Sequence, residues 1–218
     1  MTIQEVEKYR RPVRILHWIH TSAFVILFLT GLVLFIPALG FLAQDSWTRL
    51  IHRIAAAVFI VIPLLYLIIN PAAVGRGLKM AFTWGAEDLG WLRAAPRYYF
   101  LGDERDMPPQ SSMNSGQKMW WFITVVFGFV FVITGLVMWF GKTDAPLALL
   151  RWMVFVHDVA YIITGAMLFL HIYLGVFHPL MTEAWKSMAS GKISVAYAKM
   201  HHGKWYEEVT RDQEEKTK

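Results

Sequence analysis

The chain contains no cysteine, and that absence removes three chemistries: iron–sulfur ligation by thiolate, covalent haem through a Cys-x-x-Cys-His site, and disulfide cross-links. Any haem is then held non-covalently, by imidazole nitrogen or Met sulfur. Charge is scarce as well: only 17% of the 218 residues are Asp, Glu, Lys or Arg, while 56% are hydrophobic, including ten Trp and fifteen Phe. A soluble domain of this length carries more charge, so the composition is that of a membrane protein. There is no internal repeat and no low-complexity run. A cleavable signal peptide is not expected, because the first apolar stretch is too long and lacks a small-residue cleavage site. The net charge of +5 does not signal nucleic acid, since most basic residues flank apolar segments.

What the chain does have is four apolar stretches, at about residues 15–36, 50–69, 119–140 and 147–177, each with at least the roughly 20 residues needed to cross a bilayer. Pro63 interrupts the second, which membrane helices tolerate. Residues 71–118 form a polar insert whose MAFTWG and WLRAAPRYYF patches read as segments lying at the membrane surface. The tail, 179–218, is polar and helical. The expected fold is all-α: a single membrane domain over 1–218, built as a four-helix bundle with interfacial segments between spans two and three. Seventeen of the twenty-one Lys and Arg fall in the N-terminus, insert and tail, and four flank the two short turns. By the positive-inside rule both termini face the cytoplasm.

The fourth stretch carries His157 and His171. In a helix, fourteen residues bring the second imidazole to within roughly 40° of the first and about 21 Å along the axis. Two histidines on one face, one near each leaflet, suit two stacked b-type haems, each needing a second histidine from another helix. Histidines packed in a core for hydrogen bonding are the plainer alternative. Antiparallel spans fix depth: His17 opens the first span at the inner side, and His52 opens the second at the outer side. The depth-matched pairs are therefore His52 with His157 and His17 with His171. Gly31, fourteen residues after His17, shares its face and would leave room for a macrocycle or for simple helix packing. His20 is a substitute for His17. His178 and Asp158 read as interfacial, and His201 and His202 as solvated or at a partner contact. At the inner entrance to the third span, Asn114 or Ser115 suits a helix N-cap. The unpaired first-turn N–H groups, the Asn114 amide, the Gly116 backbone and Gln117 could equally hold a quinone carbonyl.

With these residues in place, the sequence resembles the gamma subunit (cytochrome b556) of membrane-bound respiratory formate dehydrogenases over nearly its whole length. The resemblance lies in HWIHTSAFVILFLTG, RLIH, NSGQKMWWF, the HDVAYIITGAMLFLH spacing, and GKIS followed by AKMHHGKWYEE. It implies an outer haem b on His52 and His157, an inner haem b on His17 and His171, and menaquinone or ubiquinone contacting Asn114 and Gly116. It also implies an iron–sulfur (beta) subunit, a molybdenum or tungsten catalytic (alpha) subunit that oxidises formate, and the bacterial inner membrane as location. Lipid is a partner through the spans, and oligomerisation of the complex is left open. The insert and the IYLGVFHPLMTEAW stretch depart from the family pattern. The alternatives are a cytochrome b subunit of another quinone-linked enzyme, such as nickel–iron hydrogenase or thiosulfate reductase; a di-iron desaturase, whose histidines would cluster at one depth; and a transporter with histidine relays.

Overall fold

The computed structural model describes residues 4–216. Four of its helices are long and apolar enough to cross a membrane: α1 (Arg11–Phe35) and α2 (Trp47–Ile69), then α5 (Ser115–Phe140) and α6 (Leu147–Ile172). Between the two hairpins lie α3 (Pro71–Phe82) and α4 (Ala86–Leu101); the tail adds α7 (Thr182–Ser190), α8 (Val195–His201) and α9 (Gly203–Lys216). Two short strands, β1 (Glu5–Glu7) and β2 (Lys192–Ser194), and short 3-10 and π turns complete the described elements. The all-α membrane bundle expected from the sequence is the architecture found, with this small sheet as the addition. The chain clusters into two compact units: residues 15–74 with 123–169, and residues 1–14, 75–122 and 170–218.

The first unit contains most of all four spans. Its helices meet through rings and small residues. Phe59 of α2 is stacked on His20 of α1, centroids 4.2 Å apart. Phe28 of α1 stacks on Tyr161 of α6 at 5.1 Å, and Tyr161 donates its hydroxyl to the Phe28 carbonyl. Gly165 makes that close approach possible, because a Cβ there would stand 2.8 Å from the Phe28 ring. Burial falls mainly on small or polar side chains such as Ala23, Ala55, Thr134, Ala160 and Thr164, with Leu168 buried beside them, while Leu29, Phe129 and Ile162 point outward. That is the pattern of helices whose outer faces meet hydrocarbon and whose contacts run through small residues.

The second unit is built around the sheet, in which β1 pairs antiparallel with β2, Val6 opposite Ile193. The turn before β2 needs Gly191: its φ is +91°, and a Cβ there would meet the Tyr9 carbonyl oxygen at 2.6 Å, so only glycine fits. Trp91, Ala95, Tyr98, Met181, Ile193 and Ala198 form the core. The aromatic insert becomes α3 and α4, leaving Phe82, Leu89, Phe100 and Leu101 exposed. α6 runs into a π turn, Tyr173–Phe177, which ends two residues before Pro179, a residue that cannot continue the ladder.

Candidate functional site

In the first unit, His52 of α2 and His157 of α6 face each other with ring centroids 6.5 Å apart and planes at 54°. Each is held by a threonine from the preceding span. Nδ1 of His52 lies 2.8 Å from Thr30 Oγ1, and Nδ1 of His157 lies 2.8 Å from Thr134 Oγ1. Both hydroxyls also donate to their own helix, Thr30 to the Ile26 carbonyl at 2.7 Å and Thr134 to the Val130 carbonyl at 2.7 Å. A hydroxyl has one proton, so each accepts from an imidazole Nδ1–H, and the unprotonated nitrogen is Nε2 on both rings. The Nε2 atoms make no hydrogen bond among the described residues.

Two neighbouring imidazoles, each with its Nε2 unprotonated, are the donor set of a bis-imidazole iron centre. Metal–nitrogen bonds of about 2.0 Å would put two collinear imidazole centroids roughly 6.3 Å apart, and the observed spacing is within a few tenths of an ångström of that. The residues present therefore fit a haem b. Glycine follows each threonine, and a Cβ at Gly31 or Gly135 would come 3.9 Å from Cε1 of His52 or His157 respectively.

The remaining histidines separate by what their nitrogens do. His17, in the first unit, has a buried Nδ1 without a hydrogen-bond partner among the described residues. An orphaned buried nitrogen is costly and suits a residue awaiting a ligand. His171, in the second unit, has its ring stacked on Trp120 of α5, 4.8 Å and 11°. The π turn that starts two residues later is a backbone irregularity found often at functional sites. His178, read from the sequence as interfacial, is buried. Its Nε2–H donates to the Tyr99 carbonyl at 3.0 Å and its Nδ1 accepts from Leu180 N–H at 3.3 Å, so both nitrogens are spent. His202 is not solvated either: it is buried, donates from Nδ1 to the Ser111 carbonyl, and burial together with the Lys8 charge pushes it down to about 3. His201 packs on Tyr197, and burial lowers it to about 4.

At the start of α5, Asn114 and Gln117 cap each other. Gln117 N–H donates to Asn114 Oδ1 at 2.8 Å, and Asn114 N–H donates to Gln117 Oε1 at 3.0 Å, a reciprocal capping box. Their NH2 groups, Nδ2 and Nε2, donate to nothing among the described residues. Gly116 does admit a ring, and that ring is the Trp91 indole of α4; a Cβ at Gly116 would stand 2.9 Å from its Cη2. Beneath the cap Asp88 accepts from Ser115, Lys118 and Gly85 N–H. Burial raises the Asp88 carboxyl, but these bonds outweigh it and hold it below the usual range. Trp120 is six residues past Asn114, about 9 Å along the helix, so the cap and His171 belong to one neighbourhood of this unit.

Sequence reasoning missed Thr30 and Thr134. The signal was available as a tetrapeptide, Thr-Gly-Leu-Val, at residues 30–33 and again at 134–137. Among the described residues no three His, Asp or Glu side chains converge as a metal cluster, so the residue set of a di-iron desaturase is lacking there.

The model of the prokaryotic cytochrome b561 family matches residues 8–191. The chain is 26% identical over 208 residues to the nitrate-inducible formate dehydrogenase cytochrome b556(Fdn) subunit of Escherichia coli K12, covering 93% of this chain and 91% of that protein. It is 22% identical to the cytochrome b556(fdo) subunit of formate dehydrogenase from the same strain, covering 97% and 96%. The formate dehydrogenase cytochrome b556 subunit of Haemophilus influenzae is 25% identical, covering 92% and 82%.

Proposed function

The chain belongs to the prokaryotic cytochrome b561 family, and from that premise we propose that it is the dihaem membrane subunit of a formate dehydrogenase, carrying electrons to quinone. The family makes it a haem b membrane cytochrome for electron transfer. The observation that carries the finer reading is the opposed His52 and His157 pair, 6.5 Å apart with Nε2 left for iron on both rings. Haem b supplies a reversible one-electron couple when bound. His52 and His157 would hold one such group. His17 and His171 would hold the other, by the depth argument from the sequence and by the orphaned Nδ1 of His17.

With two histidines committed to each haem, the residues of this chain would serve electron transfer and not bond-making at iron. The quinone head group would meet the Asn114 and Gln117 NH2 groups, which have no other partner among the described residues, on the His171 side of the cap. Gly116 contributes there by letting Trp91 close against the helix start. By the family resemblance read from the sequence, an iron–sulfur subunit would deliver electrons at the His52 and His157 side, facing the periplasm, and a molybdenum or tungsten subunit would oxidise formate. With both termini cytoplasmic and quinone reduced on that side, each electronic charge that crosses is worth about 2.3 kcal/mol per 100 mV.

The test is a reduced-minus-oxidised spectrum of the purified complex with a haem count per chain. Two b-type haems are expected, with His171→Ala or His17→Ala losing one and His52→Ala or His157→Ala losing the other. A single haem, or equal loss of both from every single change, would sink the paired assignment. Formate-dependent reduction of those haems separates this reading from a cytochrome b that serves hydrogenase or thiosulfate reductase.

A further inference from the structure

Resting on the reading that His52 and His157 hold a haem, we propose that Thr30 and Thr134 are positioning residues that fix both axial imidazoles in the same tautomer and bias that haem toward its ferric state. The two threonines sit on α1 and α5, the two histidines on α2 and α6. Each contact joins neighbours within a hairpin, at sequence separations of 22 and 23 residues. The geometry is duplicated in detail: an Oγ1 to Nδ1 distance of 2.8 Å at both, a hydroxyl proton committed to the carbonyl four residues back at both, and glycine next in sequence at both. A threonine that bonds its own helix carbonyl is commonplace in apolar helices. What sets these two apart is the second lone pair, which meets a histidine.

An imidazole that donates from Nδ1 is a stronger electron donor at Nε2, as is found wherever a second partner orients a metal-bound histidine. A stronger donor favours ferric over ferrous iron, so the two threonines hold the midpoint potential down. They also keep each ring from turning over, because a flipped imidazole would leave a buried N–H without an acceptor. The molecule supplies its own comparison. Thr164, followed by Gly165, likewise bonds its own helix, at the Ala160 carbonyl, and is buried, yet it hydrogen-bonds no histidine among the described residues.

The experiment uses the complete purified complex and a redox titration of the haem α-bands. Thr30→Val and Thr134→Val, which keep the shape and remove the oxygen, are each expected to move one haem component positive. The expected loss of ferric preference is roughly tenfold, the low end of partner-removal effects, which is about 59 mV for one electron. The same component should be lost faster to a haem acceptor. Thr30→Ser and Thr134→Ser should restore the original potential, and Thr164→Val should leave both components in place. Haems that remain bound and unmoved in both valine variants, or an equal shift in Thr164→Val, would overturn the assignment. A haem-free preparation of the unmodified complex would instead overturn the reading on which it rests, and the spectrum distinguishes the two failures.

Discussion

Asn114 has two functions open to it, and they can be separated by substitution. Its Oδ1 caps the first turn of α5 by accepting from Gln117 N–H at 2.8 Å, and its own N–H is capped in return. Its Nδ2 has no partner among the described residues and is the donor proposed for a quinone carbonyl. Asn114→Asp and Asn114→Ser keep an oxygen acceptor at the cap, where Asn, Asp and Ser rank together. The carboxylate also gains about 0.3–1 kcal/mol from the helix dipole, whereas the serine adds no charge beside Asp88. Both remove the amide donor. Asn114→Ala removes donor and cap together and should cost about 0.5–2 kcal/mol of stability. One neutral hydrogen bond is worth about 0.5–1.5 kcal/mol net, so loss of the donor should raise the quinone KM roughly two- to twelvefold. The assay is quinone reduction by complex whose haems are already reduced, alongside a thermal melt of each variant. The expected pattern is a raised KM in all three variants and a lowered melting temperature only in the alanine. If Asn114→Asp and Asn114→Ser melt normally and keep the original KM, the residue is a cap and nothing more.

Two further outcomes follow from the packing. Gly165→Ala places a methyl 2.8 Å from Phe28 and should destabilise by about 1–3 kcal/mol through overpacking; Phe28→Leu in the same chain should recover part of the melting temperature, and equal stability of Gly165→Ala and the original chain would refute the clash. His202 is held neutral by burial, down to about 3 from 6.5, so between those pH values the unfolded chain takes a proton that the folded one refuses. Stability is then full above about pH 6.5 and falls on acidification by about 1.4 kcal/mol per pH unit for this residue; His202→Gln should flatten the slope of protease resistance of the tail between pH 7 and 5, and an unchanged slope would assign the acid sensitivity elsewhere.

The spanning helices were legible because hydrocarbon selects long apolar runs, and the four runs stand out in a chain so poor in charge. The starts of the other three spans were not, although α6 begins at Leu147 as read. α1 begins at Arg11 and α5 at Ser115, each four residues before the apolar stretch, because hydropathy marks the segment in hydrocarbon while caps mark where helical backbone begins. The β1 and β2 pairing was invisible: strands of three residues carry no alternation, and their partners lie nearly a whole chain apart. The burial of His178 and of His202, the latter read as solvated or at a partner contact, was illegible for a related reason. Their burial depends on acceptors at Tyr99 and Ser111, which are brought to them by tertiary folding and leave no local trace.

The pair proposed to hold haem shows what kind of information a sequence of this class does hold. Counting residues along antiparallel spans gives depth, and depth alone matched His52 to His157, whose ring centroids lie 6.5 Å apart in the structure. Rotation about each helix axis is the missing coordinate, and apolar composition does not supply it, since α5 is hydrophobic nearly all round. A hydroxyl can. Thr134 is 3% exposed where its neighbours Ile133 and Leu136 are 59% and 41% exposed, so it marks the inward face of its helix. The same Thr-Gly-Leu-Val in the first span marks the inward face of that one. Reading the two tetrapeptides as rotation markers, each set against the histidine of the span that follows, would have predicted both Thr to His contacts from the sequence.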